Sequence, residues 1–141
     1  IMTIPITQTE QKVIFANESF YQSFSTGTLE MMEMLWSKKQ PVSCIHPDHE
    51  PLLEYDEVMA SWKNILQQSE NTEIECFDPN LSVYGNFALV SCYEVVSENH
   101  LIATNGFVLE DDVWKMVFHQ AGPTVGRPDS NISQQDSDII N

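Results

Sequence analysis

Positive charge is what this chain most lacks. Six Lys and Arg stand against 21 Asp and Glu in 141 residues, for a formal net charge of −15 at pH 7. Nucleic acids and anionic membranes both select for basic surfaces, so neither is expected as a partner. Long apolar runs are missing too: nothing approaches the ~20 residues of a membrane-spanning helix. Cysteine is sparse, with three residues, and Cys44, Cys76 and Cys92 each sit in an apolar, strand-like run. An odd number at such positions reads as buried, reduced thiols. The first residues show neither the basic region nor the apolar stretch of a signal peptide. A cytoplasmic location is therefore expected. There is no CxxC pair, no Gly-rich phosphate loop and no nucleophile elbow. No cofactor and no metal are expected; the His46-Pro-Asp-His49 run lacks a third ligand, and Pro47 spoils a helical HxxH.

What is present is one domain's worth of chain with 42% hydrophobic residues. The first part has helical periodicity. Val13, Ile14, Ala16, Phe20, Tyr21 and Phe24 mark a helix from Gln8 to Phe24, ended by Gly27 as a C-terminal cap. Thr28 caps a short second helix, and Pro41 stops it. Val42 to Ile45 predicts a strand closed by His46-Pro47, and Tyr55 to Gln68 predicts a third helix carrying Trp62. The second part alternates with period two. Strands are predicted at Glu73–Phe77, Leu81–Tyr84 and Phe87–Val96, followed by two long strands around the acidic turn Glu110-Asp111-Asp112. Short turns between consecutive strands imply an antiparallel meander. The fold class is α+β, with N-terminal helices packed on one face of a curved, mostly antiparallel sheet to make a cone with an internal pocket. The domain is expected to cover residues 1–126, followed by an acidic, flexible tail over 127–141.

Each terminal strand carries one polar group on an apolar face: Asn105 between Ala103 and Phe107, and His119 between Val117 and Ala121. Both are expected to face one cavity, together with Tyr93, walled by Trp36, Trp62 and Phe107 and rimmed by His46. Such a mixture of apolar walls and a few convergent polar groups suits a small, partly apolar ligand. His119 is the candidate acid/base, because imidazole titrates near neutrality; a plain hydrogen-bonded core histidine is the competing reading. Glu94 is considered as its orienting carboxylate, but alternation with Tyr93 assigns it to the other face. No acidic residue stands out as isolated on an apolar strand face. Trp114, Met116 and Phe118 share the phase opposite His119 and predict a homodimer interface on the outer face.

Three strings carry a family resemblance: SFYQSFSTGTLEMMEMLW, CIHPDHEPLLEYDEVMASWKNIL and ATNGFVLEDDVWKMVFHQAGP. In that order they resemble the nuclear transport factor 2-like superfamily, also known as the SnoaL-like or cystatin-like α+β cone, over about residues 8 to 123. Asp48 and Asp111-Asp112 stand where that family usually shows glycine. The superfamily holds isomerases, cyclases, dehydratases and hydrolases beside non-catalytic binding and association domains. The resemblance thus implies a small-molecule-binding domain without an assignable reaction. The alternatives are a small isomerase, cyclase or hydrolase acting on a hydrophobic substrate through His119, and a protein-association module.

Overall fold

The computed structural model describes residues 6–68 and 73–125. The expected tail over 127–141 lies outside them. Helix α1 spans Gln8–Thr26, α2 Leu29–Leu35 and α3 Tyr55–Gln68. The first start signal is a capping box, Thr7-x-x-Glu10, with the Thr7 hydroxyl accepting from the Glu10 amide at 3.1 Å and the Glu10 carboxylate accepting from the Thr7 amide at 3.0 Å. Gly27 ends α1 in the left-handed conformation at φ 68°. Thr28 occupies the N-cap position of α2 without a side-chain capping bond; its hydroxyl pairs with Thr26 instead. Val13, Ala16, Asn17, Phe20 and Tyr21 form the buried stripe of α1, which packs against the sheet alongside α2.

The strands are β1 (Ser43–Ile45), β2 (Ile74–Tyr84), β3 (Phe87–Val96), β4 (Asn99–Glu110) and β5 (Val113–Pro123), in the order β1-β5-β4-β3-β2. The last four form the expected antiparallel meander, and β1 joins its edge parallel to β5, pairing Cys44 with His119. Asp78-Pro79 does not break β2 into two strands. The extra residue is absorbed as a register shift between Phe77 and Asn80, where a proline is tolerated on the edge strand.

A second irregularity decides the site. Gly106 pairs with Phe118 and Phe107 pairs with Met116, so Val117 is an extra residue in β5. A bulge of this kind inverts the side-chain phase. Before it, Trp114 and Met116 point to the helices; after it, His119 and Ala121 do. The expectation that Trp114 and Met116 lie opposite His119 is thereby corrected. Both are core residues, 5% and 0% exposed, and Phe118 alone of the three faces outward. The inner face is completed by Ala88, Val90, Cys92 and Glu94 of β3 and Ala103, Asn105 and Phe107 of β4, all buried.

Candidate functional site

A connected set of polar side chains crosses the interior between α1 and the sheet. Asn105 is its hub and is fully buried. Its Nδ2 donates to Asn17 Oδ1 at 2.9 Å and to Tyr21 Oη at 3.0 Å, and its Oδ1 lies 2.6 Å from His119 Nδ1. Tyr21 Oη donates onward to Glu94 Oε2 at 2.6 Å and contacts Cys92 Sγ at 3.1 Å. Asn17 Nδ2 reaches Cys76 Sγ at 3.7 Å. The helical spacing of Asn17 and Tyr21, four residues apart, puts both on the stripe facing the sheet. The register Val90–Asn105–His119 places the two strand residues side by side.

The donor count assigns the protons. Asn105 spends both amide hydrogens on Asn17 and Tyr21, so its oxygen is the acceptor for His119 Nδ1–H. His119 is then the Nδ1–H tautomer, and its Nε2 carries a lone pair with no hydrogen-bond partner among the described residues. Around this imidazole stand Phe20 at 4.8 Å, Trp62 at 5.8 Å and His46 at 6.5 Å between ring centroids. Trp62 Nε1 is a buried donor that also lacks a partner among the described residues. His46 Nε2 meets Ser61 Oγ at 2.9 Å, while the Ser61 hydroxyl donates to the Val58 carbonyl. The ring cluster thus includes one buried, unused donor, on Trp62, and an imidazole whose Nε2 is left as an acceptor. It comes nearest the surface at His46, which at 9% exposure is the outermost of the four rings.

Burial governs the charges. It pushes His119 down from the ordinary 6.5 to about 3, helped by neighbouring His46, and His46 down to about 4. Both rings are neutral at physiological pH. Burial pushes Glu94 up to about 7, against the pull of the Tyr21 hydrogen bond. Tyr21 is raised well above 10 by burial, then by the Glu94 carboxylate.

Of the residues expected at the site, Asn105, His119, Trp62 and His46 come together. Phe107 lies on the same inner face, opposite Ala88 and Met116, as a core side chain. Trp36 is buried but takes no part in the cage; its backbone bridges Met116, and its side chain lines a surface cavity with Lys38 and Lys39. Tyr93 is on the outer face, paired with Ile102, because the β3 positions that turn inward are Ala88, Val90, Cys92 and Glu94. This also reverses the assignment of Glu94. It is an acidic residue isolated on the apolar inner face, 1% exposed between Cys92 and Val96. It reaches His119 through Tyr21 and Asn105. Its inward phase was readable from alternation with Val90 and Cys92 (LVSCYEVV); Asn17 and Tyr21 were readable only as helix-stripe positions.

Comparison with known proteins agrees with this architecture. The SnoaL-like domain family matches residues 13–125. A nuclear transport factor 2-like protein from Streptomyces avermitilis, provisionally assigned as a dehydratase, superposes with a TM-score of 0.76 at 30% identity, covering 82% of this chain and 96% of that one. A provisionally assigned calcium/calmodulin-dependent protein kinase type II association domain from Thiobacillus denitrificans superposes with a TM-score of 0.72 at 22% identity, covering 87% and 99%, a likeness of fold alone. In sequence, F-box protein SKIP8 of Arabidopsis thaliana is 25% identical over 115 residues, 80% of this chain; the chain spans about half (50%) the length of that relative. Its helix-then-meander order, its bulged final hairpin and the match over residues 13–125 lead to one conclusion: the chain belongs to the SnoaL-like domain family.

Proposed function

We propose that this domain binds a small, partly apolar molecule bearing a hydroxyl or an equivalent donor–acceptor group, at the ring cage of Phe20, His46, Trp62 and His119. The observation that carries this reading is the buried Trp62 Nε1–H, without a partner among the described residues, beside the His119 ring, whose Nε2 is left as an acceptor. A buried polar atom without a partner costs about 1–3 kcal/mol. A hydroxyl accepting from Trp62 recovers that cost, and its own hydrogen suits His119 Nε2 as acceptor. The ligand's apolar part is matched by the ring faces. Native mass spectrometry of freshly purified protein tests the reading: a retained small molecule is expected, depleted in Trp62→Phe, which removes the donor and keeps a ring. A wild-type protein that carries no adduct, and that no hydroxylated apolar compound stabilises, would end it.

The runner-up is a small enzyme of the isomerase, cyclase, dehydratase or hydrolase type, with His119 as its acid/base. What favours it is the 30% identity to a protein provisionally assigned as a dehydratase. Because burial holds His119 neutral, its part in such chemistry is that of a base at Nε2. His119→Gln separates the two readings, since binding would change modestly while turnover would vanish.

We further propose a homodimer through the outer face of the sheet and residence in a reducing, cytoplasmic compartment. Support for the dimer is a half-exposed apolar surface of Leu89, Tyr93, Ile102 and Phe118 that no helix among the described residues covers. Support for the compartment is that Cys44, Cys76 and Cys92 are all free thiols. A module whose only role is such assembly is the third reading, and an empty cage beside an intact dimer would favour it.

A further inference from the structure

Four of the chain's six basic residues line two adjoining surface cavities: Lys12 and Lys115 the larger, and Lys38, Lys39 and Lys115 the smaller. The larger, about 830 Å³, lies between α1, α2 and the start of β5, and contains none of the cage or network residues. We propose that this groove is a binding site for an amphiphile with a single acidic head, a medium- or long-chain monocarboxylate.

The apolar part of the argument is exposure. Phe15, Met34 and Val113 are 69%, 73% and 51% exposed, yet all three line this one concavity over a floor that includes Leu35 and Trp114. Clustered apolar exposure of this kind marks an interaction site, and methionine suits a surface that must adapt to its ligand. The volume falls in the range of small-molecule sites. Lining positions along α1 run from Gln8 to Ser19, a rise of about 16 Å, comparable to an extended chain of roughly a dozen methylenes.

Charge selects the head group. Lys12 makes no ion pair among the described residues. The Lys115 ammonium donates to the Met34 carbonyl at 2.6 Å, a neutral partner, and makes no ion pair among the described residues, although Glu33 and Glu110 line the smaller cavity with it. Asp112 is the single acid lining the groove against these two cations. A local positive excess is notable on a chain of net charge −15. That overall charge repels a polyanionic partner such as an acidic helix, whereas one carboxylate is held by the two ammonium groups as point charges.

The test is calorimetric titration with dodecanoate below its micellar concentration, paired with amide chemical-shift mapping. Saturable binding is expected, with affinity rising about fourfold per added methylene from octanoate to dodecanoate. Shifts should centre on Phe15, Met34 and Val113. Lys12→Glu should weaken binding roughly fivefold, and Met34→Asp should abolish it; both side chains are exposed, so the melting temperature should hold. Dodecanol should bind less tightly than dodecanoate by a similar factor. Failure to bind, binding indifferent to both substitutions, or shifts centred on Asn105 and His119 would each overturn the proposal. The last outcome would place the ligand in the ring cage, so the two sites are tested separately.

Discussion

Asn105 has no spare valence: both amide hydrogens and its oxygen are engaged by three residues from two elements, α1 and β5. Truncation to alanine strands Asn17, Tyr21 and His119 at once. Asn105→Ala should therefore cost more than about 3 kcal/mol in urea unfolding; a loss under 1 kcal/mol would mean that water replaces the amide freely. The titratable residues make opposing contributions. His46 and His119 have folded pKa values of about 4 and about 3, below the ordinary 6.5. The unfolded chain takes up their protons first, so their contribution to stability is full above about pH 6.5 and is lost as pH falls toward 3. Glu94 behaves in reverse. Its folded pKa is raised from 4.5 to about 7, so its contribution is full below 4.5 and is lost as pH rises through 7. Between pH 4.5 and 6.5 two protons work against one. Wild-type stability should rise with pH there by about 1.4 kcal/mol per unit, and in Glu94→Gln by about twice that. The variant should match wild type near pH 4.5 and exceed it at pH 8. Parallel wild-type and variant curves would show that Glu94 is not the group that titrates.

At the scale of elements, the turns and the bulge carry the information. Asp48, Asp111 and Asp112 have φ of 64°, 49° and 67°, so the places where the family usually shows glycine keep the left-handed backbone with aspartate in it. Ser97 and Glu98 do the same in the β3–β4 turn, at φ 48° and 72°. Two successive positive φ values are the pattern of a type I′ hairpin turn, for which Asn-Gly is the favoured pair. Ser97→Asn with Glu98→Gly should stabilise by about 1 kcal/mol, read as a melting temperature higher by a few degrees; an unchanged or lower value would show that the present turn is not strained. The bulge at Val117 makes a second expectation. Trp114 is core, so Trp114→Ala should cost about 3–5 kcal/mol of folding stability without acting at an interface. Gly106 is held to glycine by the outer face, because an added Cβ would come within 3.0 Å of Phe118 Cβ and 3.5 Å of the Phe87 ring. Gly106→Ala should destabilise by about 1–3 kcal/mol.

For the whole molecule, the proposed dimer makes predictions about the outer face. Its rows alternate apolar and polar across the sheet: Leu89 and Phe118 flank Gly106, then come Ser91, Thr104 and Gln120, then Tyr93 beside Ile102. Sedimentation velocity at micromolar concentration should show a dimer. Ile102→Lys should give a folded monomer, since Ile102 is 40% exposed and supports no core contact that would be lost. A wild-type monomer would refute the dimer, and a dimeric Ile102→Lys would refute this face. Among the described residues no helix is long and apolar enough to cross a membrane.

Local chemistry was enough to determine much of this protein. Periodicity placed the helices to within a few residues of their ends, and α3 and β3 at their observed bounds, because each element's apolar spacing is a property of its own few turns. Alternation on single strands paired Asn105 with His119 and set them inward. What the sequence left open depended on relations between strands. One unpaired residue at Val117 reverses the phase of β5, and only its β4 partner reveals that residue. Trp114 and Met116 therefore moved from an expected interface into the core. The inward faces of β3 and α1 meet only after folding, so Glu94, Tyr21 and Asn17 joined the network while Tyr93 left it. Whether a polar side chain is a site or a partner is decided by which neighbours the fold leaves it, and that is a property of the packed molecule.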